Sequence, residues 1–101
     1  MKILPEQKRT WAEIDLDAIK YNFNSIKAHV GDKKICCTVK ANGYGHGAVQ
    51  VAKVYEKIGA DSFAVSNIEE ALQLRREGIT RPILILGYTS PECVRLLEEH
   101  N

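Results

Sequence analysis

The chain has 101 residues, room for one small domain or part of a larger one. Its 14 Lys and Arg interleave with 13 Asp and Glu for a formal net charge of +1, which leaves no basic patch for nucleic acid. Hydrophobic residues make up 45%, yet no run is long enough to cross a bilayer and the first nine residues lack a signal-peptide core, so a cytoplasmic protein without a membrane partner is expected.

Residues 1–10 read as polar and irregular. Trp11 to Asp15 alternates apolar and acidic side chains, the period of a half-buried strand. Asp15 or Asp17 then caps a helix whose buried stripe is Leu16, Ile19, Phe23 and Ile26, and which stops near Val30 at Gly31. Lys34 to Val39 is a buried strand that delivers Lys40 at its end. Within it Cys36 and Cys37 are adjacent and face opposite sides, so they do not jointly chelate a metal. With Cys93 the cysteine count is odd, which predicts reduced thiols, no disulfide framework and no metal site.

Ala48, Val51, Ala52, Tyr55 and Ile58 form a second helical stripe, closed by Gly59. Ser62–Val65 is the next strand. Ser66-Asn67-Ile68-Glu69 has the capping-box pattern with serine at the cap, opening a helix through Ala71, Leu72 and Leu74 to Glu77, with Gly78 beyond. Ile83 to Leu86 is a compact apolar strand, Gly87-Tyr88-Thr89 turns the chain, and Ser90 with Pro91 starts the last helix. Alternating strands and helices joined by short loops predict an α/β protein with parallel strands and right-handed crossovers. An eight-stranded barrel takes about 250 residues, so the chain reads as the opening of a larger α/β protein.

The chemistry concentrates after Lys40. Gly43-Tyr44-Gly45-His46-Gly47-Ala48 follows a strand, opens a helix and fits G-x-G-x-x-A, a form of the dinucleotide fingerprint. A helix N-terminus attracts phosphate in a nicotinamide site and in a pyridoxal site alike. The dinucleotide fold wants an acid at the end of the next strand, but Asp61 stands at its beginning and Ser66 at its end. A strand-end lysine has no role in that fingerprint. An amine withdrawn from water is biased toward its neutral, nucleophilic form, the species that condenses with an aldehyde.

Val39-Lys40-Ala41-Asn42 with Tyr44-Gly45-His46-Gly47 closely resembles the pyridoxal-phosphate lysine motif of alanine racemases. It departs from the family pattern at Gly43, where alanine is usual. The resemblance extends to Trp11–Ile19, to Ala64-Val65 with Glu69-Glu70-Ala71, and to Ile83–Gly87, so it spans about residues 10 to 97. It implies that residues 1–101 are an N-terminal portion of a (β/α)8 TIM-type barrel, with a C-terminal β-domain outside this chain. It further implies the cofactor pyridoxal 5'-phosphate, alanine as substrate, a homodimer, and D-alanine supply for peptidoglycan.

By that resemblance Lys40 carries the cofactor as a Schiff base and serves as one of two catalytic bases. The other base, a tyrosine from a partner subunit's C-terminal domain, lies outside these residues. Tyr44 resembles the tyrosine that hydrogen-bonds the cofactor phosphate. His46 is expected to hold the loop, Asn42 to order the turn, and Leu86 to be either a pocket border or a core leucine. Three alternatives stay open: a relative that racemizes serine, a non-catalytic pyridoxal-phosphate carrier barrel, and a dinucleotide-binding oxidoreductase. Tyr44 through Gly47 argue against the carrier, which usually lacks that run.

Overall fold

The computed structural model describes residues 10–101, so nearly all of the irregular segment expected over residues 1–10 lies outside the described residues. The first helix, α1, spans Leu16–Val30. Asp15 is its cap, with one carboxylate oxygen accepting from the amides of Asp17 and Ala18 at 3.0 and 3.1 Å. Gly31, at φ 71°, stops it as expected. The buried stripe is shorter than the spacing predicts. Phe23 is buried against Tyr55, with ring centroids 5.5 Å apart, and Ile19 packs beside the core. Ile26 is 56% exposed and Leu16 37%. Helix α1 rests on the shorter helix α3 (Ala48–Ile58), which supports only its middle.

Trp11–Asp15 is not a strand. A strand needs a ladder partner, and among the described residues the sheet consists of β1 (Cys36–Thr38), β2 (Ser62–Val65) and β3 (Ile83–Ile85) in that order. The indole of Trp11 donates to the Glu13 carboxylate at 3.1 Å, a local bond in unpaired chain.

All pairings are parallel. Cys37 lies opposite Phe63, and Ala64 opposite both Thr38 and Leu84. That register sorts the side chains into two faces. Cys37, Phe63, Val65, Ile83 and Ile85 belong to the core or pack against it, together with Val51 and Ala52 of α3 and Leu74 of α4 (Ile68–Arg76). Cys36, Thr38, Ala64 and Leu84 lie on the other face, where Leu84 is 57% exposed. The two adjacent cysteines therefore do split between the faces, Cys37 buried and Cys36 exposed, and all three cysteines are free thiols.

Two caps differ from expectation. The cap of α4 is Asn67 rather than Ser66, with the Asn67 side chain accepting from the Glu70 amide at 2.9 Å. Asn67 holds the extended conformation that a cap requires, and Ser66 instead continues from β2. The last helix, α5 (Val94–His100), is preceded by a 3-10 turn over Pro91–Cys93. Ser90 contributes its carbonyl, which accepts from the Cys93 amide at 2.9 Å, and no side-chain cap bond. Leu86 is not a core leucine: it is 54% exposed, and its amide extends the ladder to the Val65 carbonyl at 2.8 Å.

Candidate functional site

Parallel strands leave a sheet on the same side, so Val39-Lys40, Ser66 and Leu86-Gly87 follow β1, β2 and β3 along one edge. Gly87 comes so close to the β2 exit that an added Cβ would stand 2.5 Å from the Ser66 carbonyl oxygen. Such edges, at the carboxyl ends of parallel strands, are where α/β folds place their ligands.

The segment after β1 is not a simple glycine loop. It forms a short helical element, α2 (Lys40–Tyr44), whose backbone turns left-handed. Ala41, Asn42, Gly43, Tyr44 and Gly45 have φ of 51°, 55°, 65°, 55° and 90°. A left-handed L-residue costs roughly 1–2 kcal/mol, somewhat less for asparagine, so Ala41, Asn42 and Tyr44 together oppose folding by about 3–5 kcal/mol. Surrounding bonds must over-determine such a conformation.

They do so here. The Gly43 amide donates to the Val39 carbonyl at 2.8 Å, and Gly47 donates to the Asn42 carbonyl at 2.9 Å. The Asn42 side chain accepts from the Ala48 amide at 3.0 Å, which locks the turn to the start of α3. His46 lies with Nδ1 3.0 Å from the Gly43 carbonyl, whose oxygen can only accept, so Nδ1 carries the proton. Asn42 and His46 thus hold the loop, as their residue types suggest. The first amide of α3, that of Ala48, is therefore engaged by the turn itself.

One residue that the sequence reading did not single out completes the scaffold. Glu70, in the first turn of α4, accepts from the Ala41 amide at 2.8 Å and, through its other oxygen, from the Ser66 amide at 2.6 Å. Its carboxylate ties the exit of β1 to the exit of β2. The available signal was the acidic pair Glu69-Glu70 behind Asn67. With the cap at Asn67 the acid three residues on is Glu70, not Glu69.

Lys40 opens the turn and is half-buried, and Tyr44 closes it with 59% of its surface exposed. The two stand at opposite ends of one rigid element. A cleft lined by Ile19, Asn22, Thr38, Tyr44, His46 and Tyr55 includes Tyr44 but not Lys40. Cys37, just upstream, is no nucleophile: burial, with smaller contributions from Cys36 and Asp61, pushes its thiol up to about 11. Asp61 accepts from the Ile35 amide at 2.7 Å, before β2 and away from the turn. The acid nearest the turn, Glu70, has both oxygens committed to backbone amides. Neither Asp61 nor Glu70 is therefore placed as a dinucleotide ribose would need.

Residues 14–101 match the family model described as the alanine racemase N-terminal domain. The chain is 48% identical over 89 residues to alanine racemase 2 of Bacillus subtilis, covering 87% of this chain and 23% of that protein. Among solved structures it resembles the alanine racemase of Bacillus anthracis with bound L-Ala-P, at a TM-score of 0.88 and 45% identity, covering 96% of this chain and 25% of that one. It also resembles a histidine racemase from Leuconostoc mesenteroides, at a TM-score of 0.79 and 35% identity, covering 87% and 24% of the two chains. The chain spans about a quarter of the length of the relatives that it matches.

Proposed function

The chain belongs to the family of alanine racemase N-terminal domains, and from that premise we propose that residues 1–101 form the opening of the pyridoxal-phosphate-binding barrel of an alanine racemase. In this reading a β-rich C-terminal domain lies outside these residues. The complete enzyme is a cytoplasmic homodimer that interconverts L- and D-alanine for peptidoglycan precursors. The observation that carries the reading is the left-handed turn that presents Lys40 and Tyr44 at the carboxyl edge of a parallel sheet.

The residues present suit the cofactor. A half-buried primary amine and an exposed phenol on one rigid turn are donors for an aldehyde and a phosphate ester. Pyridoxal phosphate, when bound, supplies the electron sink for the substrate carbanion. Lys40 Nζ would anchor the aldehyde and, when freed, would take or return the α-proton on one face. The Tyr44 hydroxyl would donate to the phosphate as a neutral hydrogen-bond donor. A tyrosine of a partner subunit would serve the opposite face.

The bound L-Ala-P of the Bacillus anthracis relative supports alanine as the substrate. A second reading, a racemase for another amino acid such as serine, draws on the histidine racemase, which shares this fold at 35% identity. In that case the residues that select the substrate lie elsewhere in the enzyme. The test of the cofactor site is borohydride reduction of the complete enzyme followed by peptide mapping. The pyridoxyl group is expected on the peptide holding Lys40, and finding it on Lys53 or Lys57 overturns the assignment. Lys40→Ala is expected to abolish racemization and leave the thermal transition in place.

A further inference from the structure

We propose that Glu70 is the positioning residue that fixes the Lys40 turn, an inference that rests on the reading of Lys40 as the cofactor lysine. Residues 41 to 45 are left-handed, and the turn begins at Ala41, the residue immediately after Lys40. The amide of Ala41 is the first N–H that the left-handed path redirects, and Glu70 accepts it at 2.8 Å. The second carboxylate oxygen accepts the Ser66 amide at 2.6 Å, at the exit of β2. The carboxylate is itself fixed, because the Glu70 backbone amide is held by the Asn67 cap at 2.9 Å.

The chemistry requires a carboxylate. Two backbone donors converge on two acceptor oxygens, and only an ionised acid offers acceptors at both positions. A carboxamide of the same size must turn its own N–H group toward one of the two amides. The bridge crosses from β1 to β2, so it sets the lysine against the neighbouring strand exit, where a cofactor would lie. Glu70 touches neither substrate nor cofactor in this scheme. It acts through the backbone that carries Lys40.

The experiment compares Glu70→Gln and Glu70→Asp with the unaltered complete enzyme, by amide hydrogen exchange and by borohydride trapping of pyridoxal phosphate. In Glu70→Gln the Ala41 and Ser66 amides are expected to exchange about tenfold faster, the effect of losing one charge-assisted bond. The core amide of Val65 should keep its protection. Trapping at Lys40 should slow about tenfold, and kcat should fall more than KM rises. Glu70→Asp, which keeps both acceptor oxygens on a shorter stem, should recover part of each effect. Unaltered exchange and trapping in Glu70→Gln overturn the proposal. So does a loss of protection that extends to Val65 in both variants, which would make Glu70 an ordinary structural residue. Failure to trap the cofactor on Lys40 in the unaltered enzyme would instead overturn the cofactor reading, and the exchange data would still decide whether the clamp exists.

Discussion

Tyr44 combines two features that rarely coincide, a left-handed backbone at φ 55° and a large ring 59% exposed. A bulky residue in that conformation is an outlier that packing alone does not repay. Its exposure leaves the hydroxyl available to a ligand. If that hydroxyl donates to the cofactor phosphate, Tyr44→Phe in the complete enzyme should weaken cofactor retention by about 1.5–3 kcal/mol, roughly ten- to a hundredfold. Equilibrium dialysis against pyridoxal phosphate measures it, and unchanged affinity would assign Tyr44 to packing. At this scale the sequence is uneven. Asn42 and His46 announce their roles because their side chains bond close by along the chain. Glu70 does not, because its partner Ala41 lies 29 residues away and belongs to another strand exit.

Between elements the chief polar tie is Glu56 of α3. One of its oxygens accepts from the Thr80 amide at 2.8 Å and from the Arg81 amide at 3.1 Å, which pins the approach to β3. Burial raises the pKa of this carboxyl, but the hydrogen bonds from Thr80 and Arg81 outweigh it and hold the group below its ordinary 4.5. A carboxylate whose folded pKa is depressed adds stability above its unfolded value, and that stability fades as pH falls through the folded value. Glu56→Gln should therefore cost up to about 1 kcal/mol at pH 7 and less at pH 3. Urea unfolding of the complete enzyme at both pH values checks this, and an equal loss at both would show that the charge is irrelevant.

Helix and strand positions were largely readable from apolar spacing, because β2 and α3 bury their stripes against one another. The missing first strand was not, because Trp11–Asp15 has the right alternation but, among the described residues, no neighbour with which to build a ladder. The cap at Asn67 was obscured by a competing serine one position earlier, and only the backbone angles distinguish the two.

The molecule is a flat slab of 46 × 41 × 21 Å with a radius of gyration of 15.4 Å, against about 13 Å for a rounded domain of 100 residues. Helices cover one face of the sheet. On the other face Ala64 is buried but Cys36 and Leu84 are exposed, and among the described residues β3 pairs only with β2. Parallel sheets normally have both faces covered, and open edges recruit other chains. The 101-residue chain expressed by itself should therefore self-associate or fold only in part, bind pyridoxal phosphate weakly and show no racemization. Sedimentation, a thermal scan and the D/L ratio of incubated alanine test this. A monomer with a sharp transition and measurable racemization would refute it.

The family and the α/β alternation were legible in local patterns: the spacing of apolar residues, the placement of glycines and the run from Val39 to Gly47, on which the proposal for Lys40 also rests. These depend on neighbours within a few positions, and the sequence displays them directly. The hand of the turn, the clamp by Glu70 and the division of the sheet into a covered and an open face were decided by tertiary structure. Each depends on which distant segments the parallel register brings side by side, since only that register sets the Ala41 and Ser66 amides on either side of one carboxylate.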